Sequence, residues 1–96
     1  DLGVHLRKRA AVDAGVEQGD VLVVDRSLYP SEGDMAVCFV DGEFTLKFVS
    51  FRDKDKGRVL LESGNRKYPP IEVTESNDFT LWGVVTYVIK KVCSRL

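Results

Sequence analysis

The sequence predicts a mostly-β domain of six or seven strands with little helix, and three observations carry that prediction. Met35-Ala36-Val37-Cys38-Phe39-Val40 is an unbroken apolar run of strand length, closed by Asp41-Gly42, a pair that tolerates positive φ and so favours a tight hairpin. The residues after that turn alternate. Phe44, Leu46 and Phe48 fall on one face of a strand, and Glu43, Thr45 and Lys47 on the other. Finally, the β-branched and aromatic residues of Phe79 to Ile89 mark a long strand.

The remaining elements follow in order. Leu2, Val4 and Leu6 alternate with Gly3, His5 and Arg7, which suits a short strand. His5 lies on its polar side, where a solvated histidine is favoured over a ligand or a base. Arg7-Lys8-Arg9 is a basic run without an aromatic partner, the pattern of a solvated loop. Ala10 to Ala14 have the length of one helical turn, with Gly15 to stop it. Gly19-Asp20 then leads into Val21-Leu22-Val23-Val24-Asp25, whose four consecutive apolar residues predict burial on both faces. A second pair, Gly33-Asp34, leads the same way into Met35–Val40, so the two units and the hairpin predict a compact meander. The strand through Lys47 is expected to continue past Val49 to Phe51, and Arg52 to Gly57 reads as a charged, solvated tip. Arg58 to Glu62 is a short strand, and Tyr68-Pro69-Pro70-Ile71 is extended because each proline fixes its own φ and restricts the residue before it. Ile71 and Val73 suit an edge strand, and Gly83 within the last strand marks a bulge or kink.

Composition narrows the function classes. Ninety-six residues, 44% hydrophobic and 30% charged, make one folded domain over residues 1–96. A formal net charge of −1 supplies no basic field for nucleic acid or an anionic membrane. The longest apolar run is far short of a membrane span, and no signal peptide is seen. Cys38 and Cys93 lack ligand spacing and read as free thiols in a reducing cytoplasm, so neither a disulfide, a metal nor a cofactor is expected. The chain opens on Asp1 rather than methionine, as a trimmed piece of a longer protein does.

No phosphate loop, metal cluster or histidine-based triad is present, which leaves Lys47 as the residue of chemical interest. On a solvated face it is an ordinary surface lysine. On a covered face desolvation disfavours the ammonium, and a neutral amine can act as a general base. Lysine-based nucleophilic catalysis also needs a serine close by.

Several stretches together resemble the LexA/UmuD family of self-cleaving serine peptidases. They are Gly19-Asp20-Val21-Leu22-Val23-Val24-Asp25, Gly33-Asp34, Val40-Asp41-Gly42-Glu43-Phe44-Thr45-Leu46-Lys47, Tyr68-Pro69-Pro70-Ile71 and Trp82-Gly83-Val84-Val85-Thr86-Tyr87-Val88-Ile89-Lys90. The likeness runs from residue 10 to residue 91, and the short end after the last strand is closer to UmuD than to LexA. It implies the compact LexA/UmuD-type peptidase domain, with its N-terminal arm absent. It also implies a Ser-Lys dyad in which the lysine takes the serine proton and later donates it to the leaving amine.

Lys47 falls at the family's lysine position. Matching Val12-Asp13-Ala14-Gly15-Val16 to the segment after the family's Ser-Gly-Asp-Ser-Met type motif puts the nucleophile position at Ala10. Alanine has no attacking oxygen. Lys8-Arg9 replace the preceding Gly-Asp and Ala11 replaces the methionine, the pattern of a degenerated site or an uncertain stretch of sequence rather than of one engineered change. Ser27, Ser31 and Ser50 lie in other contexts and do not match the motif.

By resemblance, the expected function is that of a UmuD′-like accessory subunit of an error-prone translesion polymerase in the SOS response. Its implied partners are a second copy, a UmuC-like catalytic subunit and a RecA–DNA filament, with no direct nucleic-acid or membrane contact, in a bacterial or phage-encoded cytoplasmic protein. Val84, Val85, Tyr87 and Ile89 are the residues expected at the homodimer contact, the intramolecular core being the alternative for them. Two other readings stay open: an autopeptidase in mutated form, and the C-terminal domain of a LexA-like or phage repressor.

Overall fold

The computed structural model describes residues 2–5 as backbone, and residues 15–64 and 67–93 in full. Seven strands form one antiparallel sheet: β1 (Leu2–His5), β2 (Val21–Asp25), β3 (Met35–Val40), β4 (Glu43–Ser50), β5 (Val59–Glu62), β6 (Ile71–Val73) and β7 (Phe79–Ile89). Among the described residues the helical content is a single 3₁₀ turn, Lys54–Lys56, ended by Gly57 at φ +74°. The helical turn expected over Ala10–Ala14 lies outside the described residues.

The spatial order is β1-β2-β7-β3-β4-β5-β6. Strands β3 to β6 are the expected meander. The expectation fails between β2 and β3, where β7 returns from the far end of the chain and pairs with both. Neither strand is left an edge for the other, because β7 takes one edge of each while β1 takes the second edge of β2 and β4 that of β3.

Both faces of the sheet carry a core. One cluster joins Val16, Leu22, Val24, Val37 and Leu46, with Met35, Trp82, Val85 and Val88 packed on it. The other joins Ala36, Cys38, Val49, Leu61 and Val73, with Val40, Phe51, Val59, Phe79 and Leu81 around it. Strand β3 feeds both clusters in alternation, which is the physical reason for its continuous apolar run. Burial of each full-sized side chain of this kind contributes about 1.5–3 kcal/mol. Strand β2 departs from the expectation of two-sided burial: Leu22 and Val24 are fully buried, whereas Val21 and Val23 are half-exposed.

The turns that deliver these strands share one device. Asp20 N–H donates to Glu17 O while Asp20 Oδ2 accepts from Glu17 N–H, at 3.0 and 2.8 Å. Asp34 and Ser31 repeat this arrangement at 3.0 and 2.9 Å. Glycines at φ +93° and +81°, Gly19 and Gly33, precede the two aspartates. A third copy joins Asn77 to Thr74 just before β7. The hairpin turn has positive φ at both Asp41 (+47°) and Gly42 (+94°), as a type I′ turn requires. Asp41 also accepts from Asp78 N–H and Asn77 Nδ2, each at 2.9 Å, which ties the hairpin to the entry of β7.

Strand β7 carries two irregularities. Val37 pairs with Gly83 and Cys38 with Leu81, so Trp82 is the extra residue opposite β3. Val23 pairs with Tyr87 and Val24 with Val85, so Thr86 is the extra residue opposite β2. Arg26 Nε donates to the Trp82 carbonyl at 3.2 Å, and its guanidinium lies 4.3 Å from the centre of the Trp82 ring. Gly83 leaves room that the Val24 side chain fills, because a Cβ there would lie 2.6 Å from Val24 Cγ1. Strand β4 stops at Ser50, short of the expected Phe51, whose N–H donates to the Glu32 carboxylate at 2.6 Å instead.

Candidate functional site

Lys47 lies in the middle of β4, opposite Ala36 of β3. The β3–β4 register runs without a slip from Val40↔Glu43 to Met35↔Phe48. Lys47 therefore shares its face with Ala36, Cys38, Thr45 and Val49, while Leu46 points to the opposite cluster. Of its face-mates, Ala36, Cys38 and Val49 are all 0% exposed. Lys47 itself is half-buried. The choice left open by the alternation alone goes to the covered face: this lysine emerges from an apolar surface, not from a solvated one.

Cys38 is its chemical neighbour. Burial pushes the Cys38 thiol up to about 12, and the nearby Lys47 charge acts in the opposite, weaker sense. The thiol lies 3.7 Å from the Ala36 carbonyl and donates to it. A thiol so protonated and enclosed is a core side chain and not a nucleophile. Cys93 is half-buried.

Ala10, the position assigned to the missing nucleophile, lies outside the described residues, as do Arg7-Lys8-Arg9. The nearest described residues along the chain are the loop from Gly15 to Asp20. That loop is clamped to the end of β7: Lys90 Nζ donates to the Gly15 carbonyl and, at 2.6 Å, to Asp20 Oδ2. The Asp20 side chain is only 4% exposed. The Glu17 backbone N–H and the Lys90 ammonium together hold the Asp20 carboxyl below the usual carboxylate range. Val16, in the same loop, is buried in the first cluster. The loop of residues 15–20 is thus fixed to the sheet by one apolar anchor and one ion pair, and the Asp20–Lys90 pairing was not visible in the sequence.

The Peptidase S24-like family model matches residues 11–86. The chain belongs to the Peptidase S24-like family. Protein ImpA of Salmonella typhimurium is 36% identical over 78 residues, which are 81% of this chain and 50% of that protein. Protein MucA of Escherichia coli is 37% identical over 86 residues, 86% of this chain and 56% of that protein. The LexA repressor of Desulfatibacillum aliphaticivorans is 31% identical over 91 residues, 93% of this chain and 43% of the repressor. The chain spans about half the length of these relatives. The resemblance drawn from the Gly-Asp strands and the Lys47 hairpin therefore holds at the level of the family, and the mostly-β sheet agrees with it.

Among the four residues expected at a dimer contact, this S24-like chain separates two pairs. Val84 is 6% exposed and belongs to the core, and Val85 packs on the first cluster, so the assignment of these two to a surface contact is corrected. They lie on opposite faces of the sheet, Val84 beside Ala36 and Val85 beside Val24, and the extra residue Thr86 separates Val85 from the outward-facing Tyr87. Tyr87 and Ile89 remain 70% and 54% exposed. They pair with Val23 and Val21, so the four side chains share one outward face. Among the described residues no helix is long and apolar enough to cross a membrane.

Proposed function

We propose that this chain is a UmuD′-like protein of SOS mutagenesis, an accessory subunit of an error-prone translesion polymerase built on a Ser-Lys peptidase scaffold that lacks its serine. The observation that carries the reading is Lys47: it lies half-covered on the apolar face of Ala36, Cys38 and Val49, in a chain of the S24-like family, with alanine at position 10. In the Ser-Lys mechanism the lysine amine removes the serine proton as the oxygen attacks the peptide carbonyl, and returns it to the departing amine. Lys47 is the general-base position in that scheme. Ala10 offers no oxygen to attack, so no acyl intermediate forms and the scaffold acts by binding.

The proposed partners are a second copy of the chain, a UmuC-like polymerase subunit and a RecA–DNA filament, in the cytoplasm of a bacterium. The likeness to proteins ImpA and MucA supports the branch. The exposed face of Val21, Val23, Tyr87 and Ile89 supports the self-contact. A second reading, the C-terminal domain of a LexA-like repressor, is favoured by the likeness to a LexA repressor over 93% of the chain.

The test joins two assays. In the first, the chain as written, Ala10→Ser, and Ala10→Ser with Lys47→Ala are each mixed at mildly alkaline pH with an arm-bearing form of the protein. The chain as written is expected to leave the arm intact, and cleavage by it would overturn the vacant-nucleophile assignment. Cleavage by Ala10→Ser alone would mark an intact peptidase scaffold. In the second, primer extension past a template lesion by a UmuC-like subunit is measured with and without the protein. Stimulation is expected, and neither stimulation nor co-purification would remove the accessory role.

A further inference from the structure

At the far end of β4 from the Asp41-Gly42 hairpin, a surface recess of about 300 Å³ is lined by Tyr29, Pro30, Phe51, Lys54 and Val59. It is built by the loop after β2, by Phe51 and the 3₁₀ turn after β4, and by Val59 at the start of β5. The geometry points to this recess as a docking site for an acidic peptide, taking one large apolar side chain between Tyr29, Pro30 and Val59 and placing a neighbouring carboxylate on Lys54.

The apolar half of the argument is exposure in a rigid setting. The Tyr29 and Phe51 rings are near-parallel, 21° apart with centroids 6.1 Å from each other. Tyr29 is nonetheless 75% exposed and its neighbour Leu28 49% exposed. Two large apolar side chains side by side in solvent are uncommon where nothing covers them. The walls are held before any ligand arrives. Phe51 N–H is bound by Glu32 at 2.6 Å, the loop is closed by the Ser31–Asp34 turn, and Lys54 is set by the turn ending at Gly57. Such preorganisation lowers the ordering cost of binding.

Charge complementarity selects the partner. Arg52 is paired with Glu62 at 2.7 Å, and Arg58 bridges Asp53 and Glu72 at 3.3 and 3.5 Å. Glu32, the carboxylate behind Phe51, is engaged by the Phe51 N–H and the Ser50 hydroxyl, which hold it below the usual carboxylate range. Lys54 has no carboxylate partner among the described residues and stands at the rim of the recess. Of the five residues that line the recess it alone is charged, which sets a cation beside an apolar anchor.

The test is an NMR titration of the whole chain with capped peptides Asp-Phe-Asp-Asp, Lys-Phe-Lys-Lys and Asp-Ala-Asp-Asp, and with a thymidine oligonucleotide. The acidic phenylalanine peptide is expected to shift the Tyr29, Phe51 and Lys54 amides saturably, with the other three probes weaker by about fivefold or more. Tyr29→Ala should weaken that binding by about fivefold to tenfold with an unchanged unfolding midpoint. Lys54→Glu should reverse the preference between the acidic and basic phenylalanine peptides. Equal response to both charges, shifts centred elsewhere, tighter binding of the oligonucleotide, or no saturable response to any probe would each overturn the assignment.

Discussion

Lys90 Nζ sits 2.6 Å from Asp20 Oδ2, joining residues 70 positions apart and closing the loop ahead of β2 onto the residue that follows β7. The same Asp20 oxygen accepts the Glu17 N–H at 2.8 Å, so one carboxylate serves the local turn and the long-range clamp together.

Acid should therefore loosen this corner. The Asp20 carboxyl is held low by the Glu17 N–H and Lys90, Asp25 by the Ser27 hydroxyl and N–H, and Glu32 by the Phe51 N–H and the Ser50 hydroxyl. A carboxyl whose folded value is depressed adds stability that is present above its unfolded value, about 4, and that is lost as pH falls through the folded value. The urea midpoint is expected to be flat from about pH 7 to pH 5 and to fall below about pH 4. Asp20→Asn should lower the midpoint at neutral pH and shrink the acid drop. Denaturation curves from pH 2 upward check this, and an unchanged acid limb in Asp20→Asn would exclude the clamp as a contributor.

The contact between Gly83 and Val24 makes a second prediction. A methyl group at Gly83 would fall 2.6 Å from Val24 Cγ1 and 3.2 Å from the Asp25 carbonyl. Gly83→Ala should cost about 1–3 kcal/mol, the range for overpacking a close-fitted site. Shortening Val24 to alanine gives the added methyl room. The Gly83→Ala, Val24→Ala pair should then be more stable than the sum of the single losses by about 0.5–3 kcal/mol, the coupling of residues in contact. Strict additivity in urea unfolding would mean that the two do not meet.

The strands and turns were legible because their signals are local. The apolar run Met35–Val40, the Asp41-Gly42 turn and the Gly19-Asp20 and Gly33-Asp34 pairs each specify the conformation of a few neighbouring residues, and each has it. The Thr74–Asn77 turn repeats the same device without a glycine, so its only signal was an asparagine at the fourth position. Strand β7 was legible as a strand but not as the partner of both β2 and β3, since pairing across the whole chain leaves no local period to read. For the same reason Val84 gave no sign that pairing beside Ala36 would bury it, or Lys90 that Asp20 awaited it. At the candidate site the alternation of β4 placed Lys47 correctly opposite Leu46. That the Lys47 face is covered as well as the Leu46 face depends on the apolar residues that β5, β6 and β7 bring to it.

Cys38 tests that covering. A thiol raised to about 12 by burial stays protonated at ordinary pH, and it is 0% exposed. Its contribution to stability is present below the unfolded thiol value of about 8.5 and is lost as pH rises toward the folded value. In a Cys93→Ser variant, maleimide at pH 8 is expected to leave the native protein unlabelled and to modify Cys38 only in denaturant. Rapid native labelling would show that the face around Lys47 opens to solvent.

The outward face of β2 and β7 makes the last prediction. Tyr87 and Ile89, 70% and 54% exposed, lie beside Val23 and Val21 on the side of the sheet opposite Leu22, Val24 and Val88. Because their side chains contribute little to either internal core, charges placed there should change monomer stability by no more than about 0.5 kcal/mol. In a dimer formed through this face a two-fold axis brings each substituted residue against the same surface of the second copy, so one change acts on both sides of the contact. Sedimentation equilibrium of the chain as written is expected to fit a dimer, and that of Tyr87→Glu, Ile89→Glu a monomer with an unchanged unfolding midpoint. Val21→Glu, on the neighbouring strand of the same face, should weaken the dimer as well. A dimer that survives all three substitutions would move the self-contact to another surface, and a wild-type monomer at tens of micromolar would remove it.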